Sequence, residues 1–228
     1  MNVLQLKNIN KIYGDKVKTQ VLFDINLDVK EGEFVSIIGQ SGSGKSTMLN
    51  ILGTLDSATS GEIYINGQRT DKMKKNELSK VRNRDLGFIF QFHYLLPEFT
   101  VMENVLMPYM LSGQKVTKEI KQRAEELLEL VNLSKVKNNK ATDLSGGQQQ
   151  RGAIARALIN NPKMVLADEP TGNLDSKTTD DIYALLRDIN KKYNTTFVVI
   201  THDQKIADKA DRVITVGDGK IVSDIKNS

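Results

Sequence analysis

The eight residues GQSGSGKS, from Gly39 to Ser46, restrict the fold more than any other part of the sequence. They follow the short apolar run FVSIIG, precede a helical segment, and match the phosphate-loop pattern G-x-x-x-x-G-K-[ST]. Glycines let backbone N–H groups approach phosphate oxygens, lysine adds a positive charge, and the serine hydroxyl can bind Mg²⁺. The stretch therefore predicts an α/β fold that binds a nucleotide at the end of a buried parallel strand. The predicted nucleotide-binding residues here are Gly39, Gln40, Ser41, Gly42, Ser43, Gly44, Lys45, Ser46 and Thr47.

Polar side chains follow three other apolar runs, which are MVLA, TFVVIT and LGFIF. Asp168 and Glu169 follow the first run, His202 the second and Gln91 the third. Such side chains collect where the strands of a parallel sheet end, although a carboxylate pair or a lone histidine there is also common in ordinary turns. We predict that Asp168 holds Mg²⁺ through its water shell and that Glu169 polarises the attacking water. His202, Gln91 and Lys45 are further candidate catalytic residues, and Gln91 and the Ser46 hydroxyl are candidate Mg²⁺ ligands.

A second glycine-rich stretch, LSGGQQQR, begins at Leu144 and leads into the helical run GAIARAL. The N–H groups in the first turn of a helix lack intrahelical partners, so a helix start with two glycines and a free serine suits an anion. The residues alone do not explain why one chain would need a second phosphate site.

Composition excludes several classes of protein. Hydrophobic residues make up 39% and charged residues 26%, and the net charge of +4 indicates solubility rather than nucleic-acid binding. The absence of cysteine excludes disulfides, thiolate metal sites and iron–sulfur clusters. The start of the chain lacks the apolar run of a signal peptide, and no stretch approaches the roughly 20 apolar residues of a membrane-spanning helix. These features predict a soluble cytoplasmic protein.

The order of the patterns predicts the architecture. The first thirty residues alternate as in an antiparallel ribbon that ends at Glu31-Gly32, and Tyr13 in this ribbon could stack on a purine base. GEIYING predicts a strand closed by a turn, and VITVGDGKIVSD predicts a hairpin. Between LGFIF and MVLADE the pattern is helical, with a capping box at Thr100 and Glu103 and an amphipathic helix in KEIKQRAEELLELV. A further helix is predicted in DSKTTDDIYALLRDINKKY.

The motifs together resemble those of a known family. GQSGSGKST, Gln91, LSGGQQQR, MVLADE, NLDS and His202 occur in the order found in the ATP-binding subunits of ABC transporters, and the resemblance covers essentially the whole chain. It implies a P-loop NTPase (RecA-like) core with an antiparallel β subdomain and an inserted α-helical subdomain at about 92–157. The whole chain, 1–228, would then form one ATP-binding domain that uses ATP and Mg²⁺.

The resemblance also implies why two glycine-rich stretches are present. In this family, LSGGQ faces the phosphate loop of a second subunit, so two ATP molecules are buried between two head-to-tail chains. The partner is then a second copy or a similar ATPase subunit, and Asp175 would relay contacts between the two sites. The signature residues implied to contact ATP across the interface are Ser145, Gly146, Gly147 and Gln148.

The family further implies a peripheral ATPase on the cytoplasmic face of the membrane, bound to integral permease subunits. The segment QFHYLLPEFT is similar to the corresponding segment of the lipoprotein-releasing and macrolide-exporter branch of the family. This resemblance implies lipoprotein release or export of a hydrophobic or peptide-like substrate. The apolar segment Phe92–Phe99 is expected either to form a groove rim for a permease helix or to pack within the helical subdomain. Gly152 departs from a position where valine is frequent, and we expect no effect of it on the chemistry.

Other ATPases fit the sequence less well. Heads of the chromosome-associated type insert a long coiled coil between the phosphate loop and the signature, whereas residues 47–143 here show no sustained heptads. Ribosome-acting members carry two cassettes in one chain, and a phosphate-loop kinase leaves LSGGQQQR unexplained.

Overall fold

Ten strands form the two sheets of the molecule, and the computed structural model describes residues 1–227. The strands are β1 (Asn2–Tyr13), β2 (Thr19–Lys30), β3 (Phe34–Ile38), β4 (Ser60–Ile65), β5 (Gln68–Arg69), β6 (Leu86–Phe90), β7 (Met164–Asp168), β8 (Thr196–Ile200), β9 (Arg212–Gly217) and β10 (Lys220–Lys226). The predicted ribbon, the buried strands and the C-terminal hairpin are therefore confirmed. The two-residue strand β5 was not predicted, because a strand this short shows no alternation.

The larger sheet has the order β10-β9-β3-β8-β7-β6, and its strands are parallel except for the antiparallel edge strand β10. The smaller sheet has the order β2-β1-β4-β5, with antiparallel pairing. The hairpin between β9 and β10 turns at Asp218 and Gly219, with φ angles of 46° and 73°. Positive φ at both turn residues matches the twist of the flanking strands and explains this Asp-Gly pair.

Seven α-helices, alongside two short 3₁₀ helices, complete the described part of the chain. They are α1 (Lys45–Leu52), α2 (Lys75–Asp85), α3 (Val101–Leu111), α4 (Lys118–Leu130), α5 (Gly146–Leu158), α6 (Ser176–Tyr193) and α7 (Gln204–Ala207). The capping box before α3 is confirmed, since the Glu103 N–H donates to Thr100 Oγ1 at 3.2 Å and the Thr100 N–H donates to Glu103 Oε2 at 2.8 Å. Helix α2 was not predicted because Val81 is its only buried apolar residue, so it has no apolar stripe.

Two apolar clusters cover the two faces of the larger sheet. Alternate residues of each central strand enter opposite clusters: in β8, Phe197 faces α5 and α6, whereas Val198 faces α1 and the smaller sheet. A parallel sheet that is buried on both faces needs apolar residues at nearly every position. This explains why the runs for β7 and β8 are continuous rather than alternating.

Three helices, α3 to α5, lie in the chain between β6 and β7, where a helical insert was expected. The helical structure begins only at Val101, because residues 92–99 form an irregular loop in which His93 and Tyr94 have φ angles of 60° and 48°. None of the helices within residues 1–227 is long and apolar enough to span a bilayer.

Candidate nucleotide-binding and hydrolysis site

The phosphate loop joins β3 to α1. Gly44 is the N-cap of α1 with φ of 102°, a left-handed conformation that favours glycine, and an added Cβ would lie 2.8 Å from the Leu22 side chain. No side chain of residues 1–227 caps this helix, and its first turn carries no acidic residue. The uncapped N–H groups and the positive end of the helix dipole therefore suit a phosphate group.

Two side chains of the loop are placed for a ligand. Lys45 Nζ donates to the carbonyl oxygens of Gly39 and Gln40, at 2.8 Å each, which folds the ammonium back over the loop. Ser43 is 5% exposed, and its hydroxyl has no hydrogen-bond partner within the described residues. A buried hydroxyl without a partner is costly, and a ligand oxygen would satisfy it.

The carboxylates stand at the end of β7, as predicted from the sequence. Burial raises the pKa of Asp168, the negative charge of Glu169 raises it further, and the charge of Lys45 acts in the opposite direction. A cation bound beside Asp168 would relieve this unfavourable pairing. Glu169 has φ of 46°, and its Oε2 lies 2.7 Å from Nδ1 of His202, so the structure brings these two predicted residues together.

The donor set fits Mg²⁺ better than a metal held by protein ligands alone. Across residues 1–227, no three His, Cys, Asp or Glu side chains converge on one point. Mg²⁺ binds through one or two carboxylates plus phosphates and retained waters. Asp168, the Ser46 hydroxyl and the amide oxygen of Gln91 offer hard oxygen ligands of this kind, and the bound ion would neutralise charge on the transferred phosphoryl group.

Gln91 and Tyr13 flank this centre. Gln91 Nε2 donates to Asn173 Oδ1 at 3.2 Å, so the amide is tied to the loop that follows Glu169. The Tyr13 hydroxyl donates to Asp56 Oδ2 at 2.6 Å, and Lys11 Nζ lies 4.5 Å from the centre of its ring. Burial, and then the bond to Asp56, raises the pKa of Tyr13. Stacking of Tyr13 on a base stays a prediction.

The serine of the signature is not free, contrary to the prediction. Ser145 is the N-cap of α5: its hydroxyl accepts from the Gln148 N–H at 3.4 Å, while Gln148 Oε1 accepts from the Ser145 N–H at 2.9 Å. The spacing S-x-x-Q forms this capping box, a signal that is readable in the sequence. Asp175 likewise caps α6 by accepting from the Thr178 N–H at 3.0 Å.

Helix α5, which begins at the signature, packs on a different strand from the one that carries the phosphate loop. Helix α5 packs on β6, where a Cβ on Gly87 would meet the Ala157 carbonyl oxygen at 2.6 Å. The phosphate loop follows β3, which is three inter-strand spacings from β6, or about 14 Å. An added Cβ at Gly146 would meet Leu174 at 3.6 Å, which places the signature beside the loop before α6.

Sequence reasoning missed three residues near this site, of which His93 and Gln150 are buried and Arg156 is half-buried. His93, Gln150 and Arg156 join the loop after β6 to α5, and Gln150 also reaches the carbonyl of Pro170. Gln150 stands in a glutamine run at the start of an amphipathic helix, and no pattern distinguishes it from its exposed neighbours. In the segment Phe92–Phe99, the structure separates the two expectations: Leu95 is half-buried and packs against the core, whereas its apolar neighbours are exposed, namely Phe92, Tyr94, Leu96 and Phe99.

The fold and the site define a phosphate-loop ATPase that carries a second glycine-rich motif, the signature, at the start of α5. The family model described as ABC transporter matches residues 22–172 of this chain. The chain therefore belongs to the ABC transporter family and is an ATP-binding ATPase subunit of that family.

Relatives and solved structures agree over nearly the full length. The chain is 48% identical to the lipoprotein-releasing system ATP-binding protein LolD 1 of Rhodopseudomonas palustris, over 96% of this chain and 98% of the relative. It is 46% identical to LolD of Francisella tularensis, over 96% of this chain and 95% of the relative. Among solved structures, the dimeric ATP-binding cassette MJ0796 with ADP and phosphate matches with a TM-score of 0.89 and 45% identity, covering 98% of both chains.

Proposed function

We propose that this chain hydrolyses ATP between two copies of itself, or with a similar subunit, and so drives a membrane permease that releases lipoproteins. The separation of the phosphate loop from the signature within one chain carries the dimer proposal. Both features suit an anion, yet α5, which begins at the signature, packs on β6, about 14 Å across the sheet from the strand β3 that carries the phosphate loop. A head-to-tail pair would bring each phosphate loop opposite the partner's signature.

The γ-phosphate makes closure of the two chains depend on whether ATP or ADP is bound. The phosphate loop holds ATP and ADP alike through the β-phosphate, whereas a signature helix across the interface depends on the γ-phosphate. A ligand shifts a two-state equilibrium only through its different affinity for the two states. ATP therefore closes the pair, and hydrolysis releases it.

Each proposed catalytic residue has a distinct task. Lys45 and the N–H groups of the loop bind phosphate oxygens. Glu169 accepts a proton from the attacking water, and His202, at 2.7 Å from Glu169, orients that carboxylate. Gln91 is tied to Asn173 and so senses the loop that carries Glu169. Asp175 is proposed to relay contacts between the two sites from its position at the start of α6.

A groove beside this site supports the permease as a partner. It encloses about 1340 Å³ between α2 and the helices α3 and α5, and exposed apolar side chains such as Tyr94 and Leu111 line it. Its lining in the described chain includes five cations and no Asp or Glu. The groove therefore fits an apolar permease segment with acidic side chains, which would place the ATPase at the cytoplasmic face of the membrane.

The proposed substrate rests on the relatives. Two relatives at 46–48% identity carry the name of the lipoprotein-releasing system, and both match across almost the whole chain. Export of another hydrophobic or peptide-like substrate is the alternative. Co-purification of this chain from its native membrane would identify the permease: a lipoprotein-binding permease supports release, and one that carries another substrate contradicts it.

Substitution of the carboxylate tests the hydrolysis site. Glu169→Gln keeps the shape and removes the charge, so we expect ATP turnover to fall by about 10²–10⁴-fold. The variant should still bind ATP and accumulate as an ATP-bound dimer on size-exclusion chromatography. Lys45→Ala should instead weaken nucleotide binding itself. Near-normal turnover of Glu169→Gln would remove Glu169 from this role.

A further inference from the structure

One fully buried amide connects two loops of the site. Gln150, in the second turn of α5, is 0% exposed. Its Nε2 donates to the carbonyl oxygen of Pro170 at 2.5 Å, and its Oε1 lies 2.5 Å from Nδ1 of His93, which is itself buried. The amide therefore links the loop after β6 to the loop after β7.

The direction of these hydrogen bonds is determined by the chemistry. The carbonyl of Pro170 can only accept, so Gln150 must point its NH₂ group toward it. The Gln150 oxygen then faces His93 as an acceptor, and His93 must present a protonated Nδ1. His93 Nδ1 therefore donates to Gln150 Oε1, and Gln150 Nε2 donates to the carbonyl of Pro170.

The His93 end is held in an unusual conformation. His93 and Tyr94 are consecutive left-handed residues, and such conformations persist only where the surroundings impose them. The Arg156 guanidinium donates to both of their carbonyls, at 2.6 Å and 2.5 Å. The side chains of Phe92 and Tyr94 on this loop are exposed beside the groove.

The Pro170 end adjoins the carboxylate. Pro170 follows Glu169 directly and has no N–H, so its carbonyl is its only polar backbone group. The N–H of Glu169 donates to the Ile200 carbonyl at 3.0 Å. The backbone around Glu169 is thus held by the bond to β8, by the bond from Gln150 to Pro170, and by a turn in which the Gly172 N–H donates to the Glu169 carbonyl at 3.0 Å.

We propose that Gln150 is a positioning residue for ATP hydrolysis, which holds Glu169 in place and joins it to the loop of His93. The inference rests on the proposed role of Glu169. A displacement of about 1 Å at a reacting group can cost 10²-fold in rate, so loss of this link should lower kcat without weakening ATP binding. Gln150 lies close to the signature in the sequence, but its side chain is buried and contacts His93 and Pro170 instead. Its position in the sequence therefore does not indicate this role.

Two variants of His93 that have the same shape as each other test the link between His93 and Gln150. His93→Asn keeps an N–H donor near the position of Nδ1, whereas His93→Asp replaces that donor with an acceptor. Asn and Asp both tolerate left-handed backbone. With Asp at this position, either orientation of the Gln150 amide leaves two acceptors facing each other, at residue 93 or at Pro170.

We expect His93→Asn to keep kcat within about twofold and His93→Asp to lower it about tenfold or more, with the ATP dissociation constant unchanged in both. Equal kcat for the two variants would overturn the proposal. Because His93→Asp introduces a buried charge and could fail to fold, Gln150→Met provides a second test without one. It should lower kcat about tenfold with unchanged ATP affinity, and retention of kcat within twofold would also overturn the proposal.

Asn190→Leu is the matched control. Asn190, near the C-terminal end of α6, is 5% exposed, and its Nδ2 donates to the carbonyls of Gly32 and Thr195 at 2.8 Å each, so its substitution removes comparable buried hydrogen bonds away from α5. The Asn190→Leu variant should lose stability while its kcat stays unchanged. If its kcat falls as much as that of Gln150→Met, the effect of Gln150→Met is purely structural and the proposal is overturned. Glu169→Gln, measured in parallel, separates the role of Glu169 from the role of Gln150. If Glu169→Gln hydrolyses ATP normally, the proposed role of Glu169 is wrong. If Glu169→Gln is inactive while Gln150→Met is normal, only the proposed role of Gln150 is wrong.

Discussion

Gly87 permits the close approach of α5 to the sheet, and its replacement tests how tightly this helix is placed. A Cβ at residue 87 would lie 2.6 Å from the Ala157 carbonyl oxygen and 3.1 Å from Val165 Cγ2. The first distance is about 0.7 Å short of an ordinary C···O contact of roughly 3.3 Å. Since the oxygen belongs to the helix backbone, no side-chain rotation relieves the clash.

We therefore expect Gly87→Ala to destabilise the protein at the upper end of the range for overpacked cores, by about 3 kcal/mol. For a chain of this size, that corresponds to a decrease in Tm of about 6–12 °C. Urea denaturation followed by circular dichroism, together with a thermal scan, measures both quantities.

Gly217→Ala is the control, because it also places a methyl group on a strand glycine. There the Cβ would meet only the side chain of exposed Val222, at 3.3 Å and 3.6 Å, and that side chain can move. Its free energy of unfolding should stay within about 0.5 kcal/mol of the wild type. A loss below about 0.5 kcal/mol for Gly87→Ala would show that α5 shifts freely and is not tightly placed against β6.

Two further predictions concern the groove and acid stability. Tyr94→Ser should reduce association with the permease in pull-down experiments and leave basal ATPase activity intact. Leu95→Ser should instead lower the free energy of unfolding by about 1 kcal/mol, because the half-buried Leu95 packs against the core. Equal losses of association and stability for both variants would contradict this division. The Arg212 guanidinium lowers the pKa of Asp224, and the weaker effect of burial acts in the opposite direction. Asp224→Asn should therefore destabilise by about 1 kcal/mol at pH 7. A lowered pKa stabilises the folded state fully above the unfolded pKa of about 4, so the difference should shrink as pH falls through the folded pKa of Asp224; a constant difference in urea titrations would contradict it.

The sequence predicted most of the sheet and the residues at its edge, because short apolar runs next to special motifs leave few alternatives. β6 was predicted at its observed bounds, and His202 was expected near Glu169, to which it lies hydrogen-bonded. Both features follow from local patterns combined with the rule that parallel strands end at one edge.

Other features depend on contacts between distant parts of the chain. Helix α2 is polar nearly all round, so its existence depends on packing that periodicity does not report. Leu95 packs beside Gly152, where a Cβ would lie 3.3 Å from Leu95 Cδ1. Glycine in place of valine therefore leaves room for the Leu95 side chain, a contact that the sequence alone did not reveal. The buried link through Gln150 was equally invisible, because its two partners stand 57 and 20 residues away.

The composite site between two chains is the central claim, and a disulfide between chains tests it most directly. The chain has no cysteine, so introduced thiols have no native competitors. Ser41 is exposed in the phosphate loop, and a Cβ at Gly146 meets only Leu174, at 3.6 Å. Differently tagged chains carrying Ser41→Cys or Gly146→Cys, each also carrying Glu169→Gln, are mixed under mild oxidation. We expect a covalent dimer of unlike tags with ATP and little with ADP. No such dimer with ATP, together with a bond within single chains that carry both cysteines, would contradict it.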